Sequence, residues 1–148
     1  MSVTPQPYLS FRIGRQWYGV RVEEVIEVLH FVALTEIPGA PPDVLGLLAL
    51  RDGTMPVIDL RVRFGVDHVS LALNTPIVAL QVANSQIAIV VDEVEDVQEI
   101  LEIVDYKGGE SMYISGAAKM DEKLLLLLDT AKLHSEAIGI LPAIEPTG

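Results

Sequence analysis

The sequence predicts an all-β fold, drawn as two small barrels that share a seam. Apolar residues recur with period two along much of the chain, and turn residues cut those runs into short strands. That pattern favours barrels or sandwiches over a parallel α/β sheet, which needs a helix after nearly every strand.

Between Tyr8 and Val22, Phe11 and Ile13 share one face of a strand, and Tyr18, Val20 and Val22 share one face of the next. Gly14-Arg15-Gln16 is the expected turn between them. Val25 to Leu34 suits either a short helix or a β-branched strand at Val25, Ile26, Val28 and Leu29, and we assign it to strand. Ile37 to Pro42 is a loop, because Pro38, Pro41 and Pro42 remove donors and fix φ. The apolar runs Leu45 to Leu50 and Met55 to Leu60 flank Arg51-Asp52-Gly53-Thr54, whose Asp-Gly pair is a strong hairpin signal. They are expected to pair antiparallel.

Regularity lapses from Arg61 to Leu73. It returns in Thr75 to Val82 and Gln86 to Val91, a hairpin around Ala83-Asn84-Ser85. A second β unit is therefore expected to start near residue 75, so that residues 8–66 form the first barrel and 75–128 the second, within one domain spanning 1–148. Val94 to Ile103 reads as a further strand, Gly108-Gly109 as a loop and Lys123 to Leu128 as another strand. Asp129 can cap a final helix over 129–139, with Ala131, Leu133 and Ala137 inside it and Gly139 ending it. Shorter helical pieces are expected near Pro42 to Val44 and Leu60 to Phe64.

Half of the 148 residues are hydrophobic, enough for a sizeable core, and there is no cysteine. Disulfide frameworks, thiolate nucleophiles and Cys-type zinc sites are thereby excluded, and a reducing compartment fits. Met1 to Pro7 carries no basic residue and no signal-like apolar stretch follows, so a cytoplasmic location is expected. The run Leu124 to Leu128 is far shorter than the ~20 apolar residues of a membrane span, which argues against direct membrane insertion. Ten Lys and Arg against 21 Asp and Glu give a formal charge of −11, which repels a phosphate backbone; nucleic acid is not an expected partner.

His30, His68 and His134 have no metal-ligand partner at a recognised spacing and read as ordinary surface histidines. Asp92, Glu93, Glu95, Asp96, Glu99, Glu102 and Asp105 form the densest carboxylate cluster. They lack the glycine and regular oxygen spacing of a calcium loop, and their interleaving with Val94, Val97, Ile100, Leu101 and Ile103 reads as the solvated face of an amphipathic element. A small metal-dependent enzyme using 92–105 is the rival from another class. Gly14, Gly19 and Gly46 stand apart, with no phosphate-binding glycine pattern, and no serine sits in a nucleophile elbow. No metal, cofactor or catalytic residue is expected. Trp17, Tyr8 and Tyr18 read as core or rim aromatics.

The most specific block runs from Gly46 to Gly65, with Leu50-Arg51-Asp52-Gly53 followed by Pro56-Val57-Ile58-Asp59-Leu60-Arg61 and Phe64. It resembles the signature of the CheW family, adaptors of bacterial chemosensory arrays, which show an N-L-R-G element and then P-V-I-D-L-R. The resemblance extends from about Tyr8 to about Leu133. It takes in Tyr18-Gly19-Val20, Val25-Ile26-Glu27-Val28, Ile37-Pro38, Ala40-Pro41, Val91-Asp92-Glu93-Val94, Ile114-Ser115-Gly116, Leu126-Leu127-Leu128-Asp129 and Lys132-Leu133. It implies two five-stranded, SH3-like barrels, no catalysis, and a scaffold between the cytoplasmic tip of a chemoreceptor and the regulatory domain of a CheA-type histidine kinase. It also implies protein contacts at Leu50, Arg51 and Asp52, and at Val25 and Glu27. Each has a plainer reading: Arg51 as a turn arginine whose stem covers apolar surface, and Glu27 as the wet side of a strand. The sequence departs from the signature at Ala49, where the family has asparagine, and at Asp52, where it has glycine. Those departures suggest altered partner choice, as in an adaptor of a non-motility pathway.

Overall fold

The computed structural model describes residues 6–30, 33–51, 53–66, 72, 74–104, 113–120 and 123–140, the last five by backbone alone. Ten strands run in chain order: β1 (Gln6–Ile13), β2 (Gln16–Arg21), β3 (Val25–His30), β4 (Val44–Leu50), β5 (Gly53–Asp59), β6 (Pro76–Val82), β7 (Ser85–Val90), β8 (Glu93–Ile100), β9 (Ile114–Met120) and β10 (Lys123–Leu128). Helix α1 (Leu60–Arg63) follows β5, and α2 (Thr130–Ile140) follows β10. The all-β expectation holds.

The strands form two five-stranded sheets, ordered β3-β6-β7-β5-β4 and β8-β1-β2-β10-β9. We refer to them as the central and the terminal barrel, because the second is assembled from both ends of the chain. This corrects the sequential division. Neither 8–66 nor 75–128 is a barrel, since β1 and β2 pair with β8 and β10, and β6 and β7 pair with β3 and β5. Local periodicity identifies hairpins correctly but carries no information on which hairpin a strand joins, which is decided by the faces that need covering.

The two barrels are built alike. Each is antiparallel except for one parallel pair in the same place, β5 with β7 and β2 with β10. Each is closed by one isolated bridge beyond its first strand: Thr35 pairs with Leu47 across the central barrel, and Val104 with Ala117 across the terminal one. The bridges consist of reciprocal N–H···O bonds of 2.8–3.0 Å. Strand n of one barrel thus corresponds to strand n+5 of the other, counting round from β10 to β1.

Three apolar clusters follow from the alternation of side chains across the strands. Leu48, Met55, Val57, Ile77, Ala79, Ala88 and Val90 fill the central barrel, and Tyr8, Ile100, Ala118, Leu125 and Leu127 line the terminal one. The largest cluster is the seam, where Leu9, Phe11, Ile13 and Val20 meet Ile58, Val78, Leu80, Val82, Ile87 and Ile89. Strands β6 and β7 are buried on both faces, which is why they read as continuous apolar runs.

Four other expectations change in detail, one being that α2 runs through Gly139 to Ile140 instead of ending at that glycine. Pro42 and Asp43 form a turn leading directly into β4 rather than a helical piece. The strand expected over 94–103 ends at Ile100, and a 3-10 turn at Val22–Glu24 precedes β3. Gly108-Gly109 and His68 lie outside the described residues.

Candidate protein-interaction site

Leu50 and Gly53 are the last paired residues of the β4–β5 hairpin, leaving a two-residue connection of Arg51 and Asp52. Gly53 has φ +149°, which strains any other residue, and a Cβ there would also push aside the Gln86 side-chain tip 2.7 Å away. Arg51 is exposed and makes no ion pair or hydrogen bond among the described residues. Leu50 packs its half-buried side chain against the central core. Asp52 lies outside the described residues.

Val25 and Glu27 are on β3, at the opposite edge of the same sheet. Strand register nevertheless brings Val25 to the barrel end that carries Arg51. Val25 pairs with Leu80, and β6 then turns through exposed Ala83 and Asn84 into β7, which starts alongside β5. Val25 is half-buried against the seam, whereas Glu27, beyond a register shift, is exposed. Leu50, Arg51 and Val25 therefore ring one end of the central barrel, with Glu27 on its flank.

Behind that end, the Asp59-Leu60-Arg61 segment holds the barrels together. Asp59 caps α1 by accepting from the Arg61 N–H at 3.0 Å, and its carboxylate takes the Arg61 guanidinium through Nε at 2.9 Å and Nη2 at 3.0 Å. Nη1 reaches Asp92 at 3.5 Å, and the other oxygen of Asp92 accepts from the Gly14 N–H at 2.7 Å. The hydrogen bonds from Asp59 push the Arg61 pKa up against the opposing effect of burial, so the guanidinium stays charged. Breaking a buried pair of this kind by removing one partner costs ~3–5 kcal/mol, because the remaining charge is left uncompensated. Next to it Arg63 pairs with Asp43 and donates to the Tyr113 hydroxyl at 2.8 Å, while Tyr113, Phe64, Tyr18 and Phe11 form a ladder of ring contacts.

The acidic segment is spread along β8, with Glu93, Glu95, Asp96 and Glu99 exposed. Arg12 pairs with Glu93 at 3.1 Å and Lys123 with Glu95 at 3.7 Å. Among the described residues no three His, Asp or Glu side chains are placed to hold a metal ion. The amphipathic reading needs one amendment, since Val97, Leu101, Ile103 and Val104 are exposed beside those acids. His134 is not an ordinary surface histidine: its Nε2 is buried with no hydrogen-bond partner among the described residues, and burial pushes its pKa down.

Two like five-stranded barrels, with an exposed arginine at the end of one, define a class of paired-barrel β proteins. The family model of the CheW-like domain matches residues 7–137, and the chain belongs to that family. It is 32% identical over 136 residues to the chemotaxis protein CheW of Klebsiella aerogenes, covering 88% of this chain and 82% of that one. It is 30% identical over 149 residues to the chemotaxis protein CheW of Treponema pallidum, covering 91% and 86%. The crystal structure of the scaffolding protein TtCheW from Thermoanaerobacter tengcongensis superimposes with a TM-score of 0.79 at 28% identity, covering 84% of this chain and 89% of that one.

Proposed function

We propose that the chain is a non-catalytic coupling protein of a bacterial chemosensory array, joining the cytoplasmic tip of a chemoreceptor to the regulatory domain of a CheA-type histidine kinase. The observation that carries this reading is the end of the central barrel. There Arg51 stands exposed on a tight hairpin, with Leu50 and Val25 beside it and Glu27 on the flank. A planar guanidinium in that position suits bidentate pairing with a partner's carboxylate, and the neighbouring apolar surface suits a barrel-to-barrel contact of modest area. Asp52, adjacent in sequence, belongs to the same proposed contact. The role places the chain in the cytoplasm; no helix among the described residues is long and apolar enough to cross a membrane.

Ala49 favours a refinement. It is exposed on β4 opposite Thr54, so a change from asparagine to alanine there alters what the hairpin presents and leaves the core alone. An adaptor of a pathway other than motility, with its own kinase and receptor, fits that surface. Affinity capture of the tagged chain from its native cytoplasm tests both statements. Recovery of a histidine kinase together with a chemoreceptor is expected, and the genes beside theirs distinguish the pathways. Capture of neither, under conditions where the chain is folded, would overturn the coupling role.

A further inference from the structure

The two barrels differ in the side chains that fill them. In the central barrel Met55 pairs across the strands with Leu48, and both are buried. The corresponding pair in the terminal barrel is Leu125 with the smaller Ala118. A cavity of about 510 Å³ opens beside Leu125, within the size range of small-ligand sites. Trp17, Met120 and Leu125 supply its apolar wall. Ser10 and Gln98 add polar groups; the Ser10 hydroxyl is committed to the Asp96 carbonyl, and the Gln98 amide has no hydrogen bond among the described residues.

The mouth of this cavity already holds an ammonium group. Lys123 Nζ sits 4.3 Å from the centroid of the Trp17 ring and 3.7 Å from Glu95 Oε2. An aromatic face with a carboxylate beside it is the arrangement that recognises organic cations. Lys123 and Glu95 side chains are 54% and 38% exposed, so water screens the contacts holding the lysine in place and little is lost when it swings away.

We propose that the terminal barrel carries a binding site for a small hydrophobic ammonium ion, an alkyl- or arylalkylamine. Its cationic head replaces Lys123 between Trp17 and Glu95, and its hydrocarbon body enters the cavity against Met120 and Leu125. The site is separate from the Arg51 end of the central barrel and does not depend on the coupling role.

Trp17 is the chain's single tryptophan, so its fluorescence reports the site directly. Phenethylammonium chloride titrated into the full chain is expected to give a saturable change, with a dissociation constant on the order of 1 mM for so small a ligand. Lys123→Ala removes the internal competitor and is expected to tighten binding about threefold, and adding Glu95→Gln to that variant is expected to abolish the gain. Neutral 2-phenylethanol, with the same hydrocarbon body, is expected to bind at least about tenfold more weakly. Circular dichroism melts of both variants establish that they are folded. The proposal is overturned by any of three results: no saturable response from folded Lys123→Ala, equal affinity in Lys123→Ala and the unmodified chain, or equal binding of the alcohol and the amine.

Discussion

At the scale of single residues, Arg51 and His134 illustrate opposite kinds of legibility. Arg51 was readable as a turn residue because a short motif placed it on a tight hairpin, and it is exposed there, as its proposed contact role requires. Arg51→Glu is expected to leave the melting temperature nearly unchanged, since such surface substitutions shift stability by only ~0.5 kcal/mol. Reversing one member of an interfacial charge pair costs ~2–5 kcal/mol, so calorimetry against the kinase regulatory domain or receptor tip should show tens-fold weaker binding. Unchanged affinity for both partners would remove the hairpin from the interface. His134 read as a surface residue because nothing in its local pattern reveals that its Nε2 becomes buried without a partner. Burial lowers its pKa below the usual 6.5, so the folded state binds fewer protons than the unfolded state. Its effect on stability is absent above pH 6.5 and grows as an acid penalty as pH falls through the folded value. Urea midpoints at pH 7.5 and pH 5 are expected to fall further for the unmodified chain than for His134→Gln; parallel declines would mean that the imidazole is not penalised. Trp17 was equally opaque, because the cavity it lines forms only when β2 pairs with β10.

At the scale of elements, hairpins were legible and closures were not. The β1–β2, β4–β5 and β6–β7 pairs follow from alternation and turn residues, and α2 from Asp129, whose carboxylate accepts from Lys132 N at 3.0 Å; the Asp59 cap of α1, at 3.0 Å from Arg61 N, emerges only in the structure. Strand β9 is poor in β-branched residues, its middle being Gly116-Ala117-Ala118, so periodicity alone passes over it; only the family resemblance of Ile114-Ser115-Gly116 pointed there. The reason for those small residues is the closing bridge. A Cβ on Gly116 would lie 2.9 Å from an Ile103 methyl and 3.1 Å from the Val104 carbonyl, and one on Gly46, at the corresponding place, only 2.5 Å from the Thr35 carbonyl. Gly46 also has φ +148°. Gly46→Ala must shift backbone as well as strain its own, and is expected to cost ~1–3 kcal/mol or more, a fall of ~2–4 °C in melting temperature per kcal/mol for a chain of this size. Gly116→Ala meets mainly a movable methyl and should cost less. Faster hydrogen exchange of the Leu47 amide in Gly46→Ala would locate the damage at the bridge; a Gly116→Ala variant less stable than Gly46→Ala would contradict the account.

At the scale of the whole molecule, interleaving decides how the chain unfolds. The central barrel is continuous from β3 to β7, but the terminal barrel exists only when β1 and β2 return to β8 and β10, so its folding requires the ends of the chain to meet. The cluster between the barrels draws buried residues from both, including Phe11, Ile13, Ile58, Leu80, Ile87 and Ile89, each 2% exposed or less. Opening either barrel alone would bare that face to water at ~25 cal/mol per Å² of apolar surface, and would also strand Arg61 and Asp92, whose network spans β5, α1, the β7–β8 connection and the β1–β2 turn. Domain boundaries drawn by sequence order missed this, because order along a chain does not encode which apolar faces finally cover each other. The expected consequence is one cooperative transition. Trp17 reports the terminal barrel alone, whereas far-ultraviolet circular dichroism reports both, so the two signals should share one urea midpoint and one slope. Arg61→Met, which leaves Asp59 and Asp92 uncompensated, should move both curves together to lower urea. If Trp17 fluorescence instead changes at clearly lower urea than the dichroism, in either protein, the barrels unfold one after the other, and the seam contributes less than its buried residues imply.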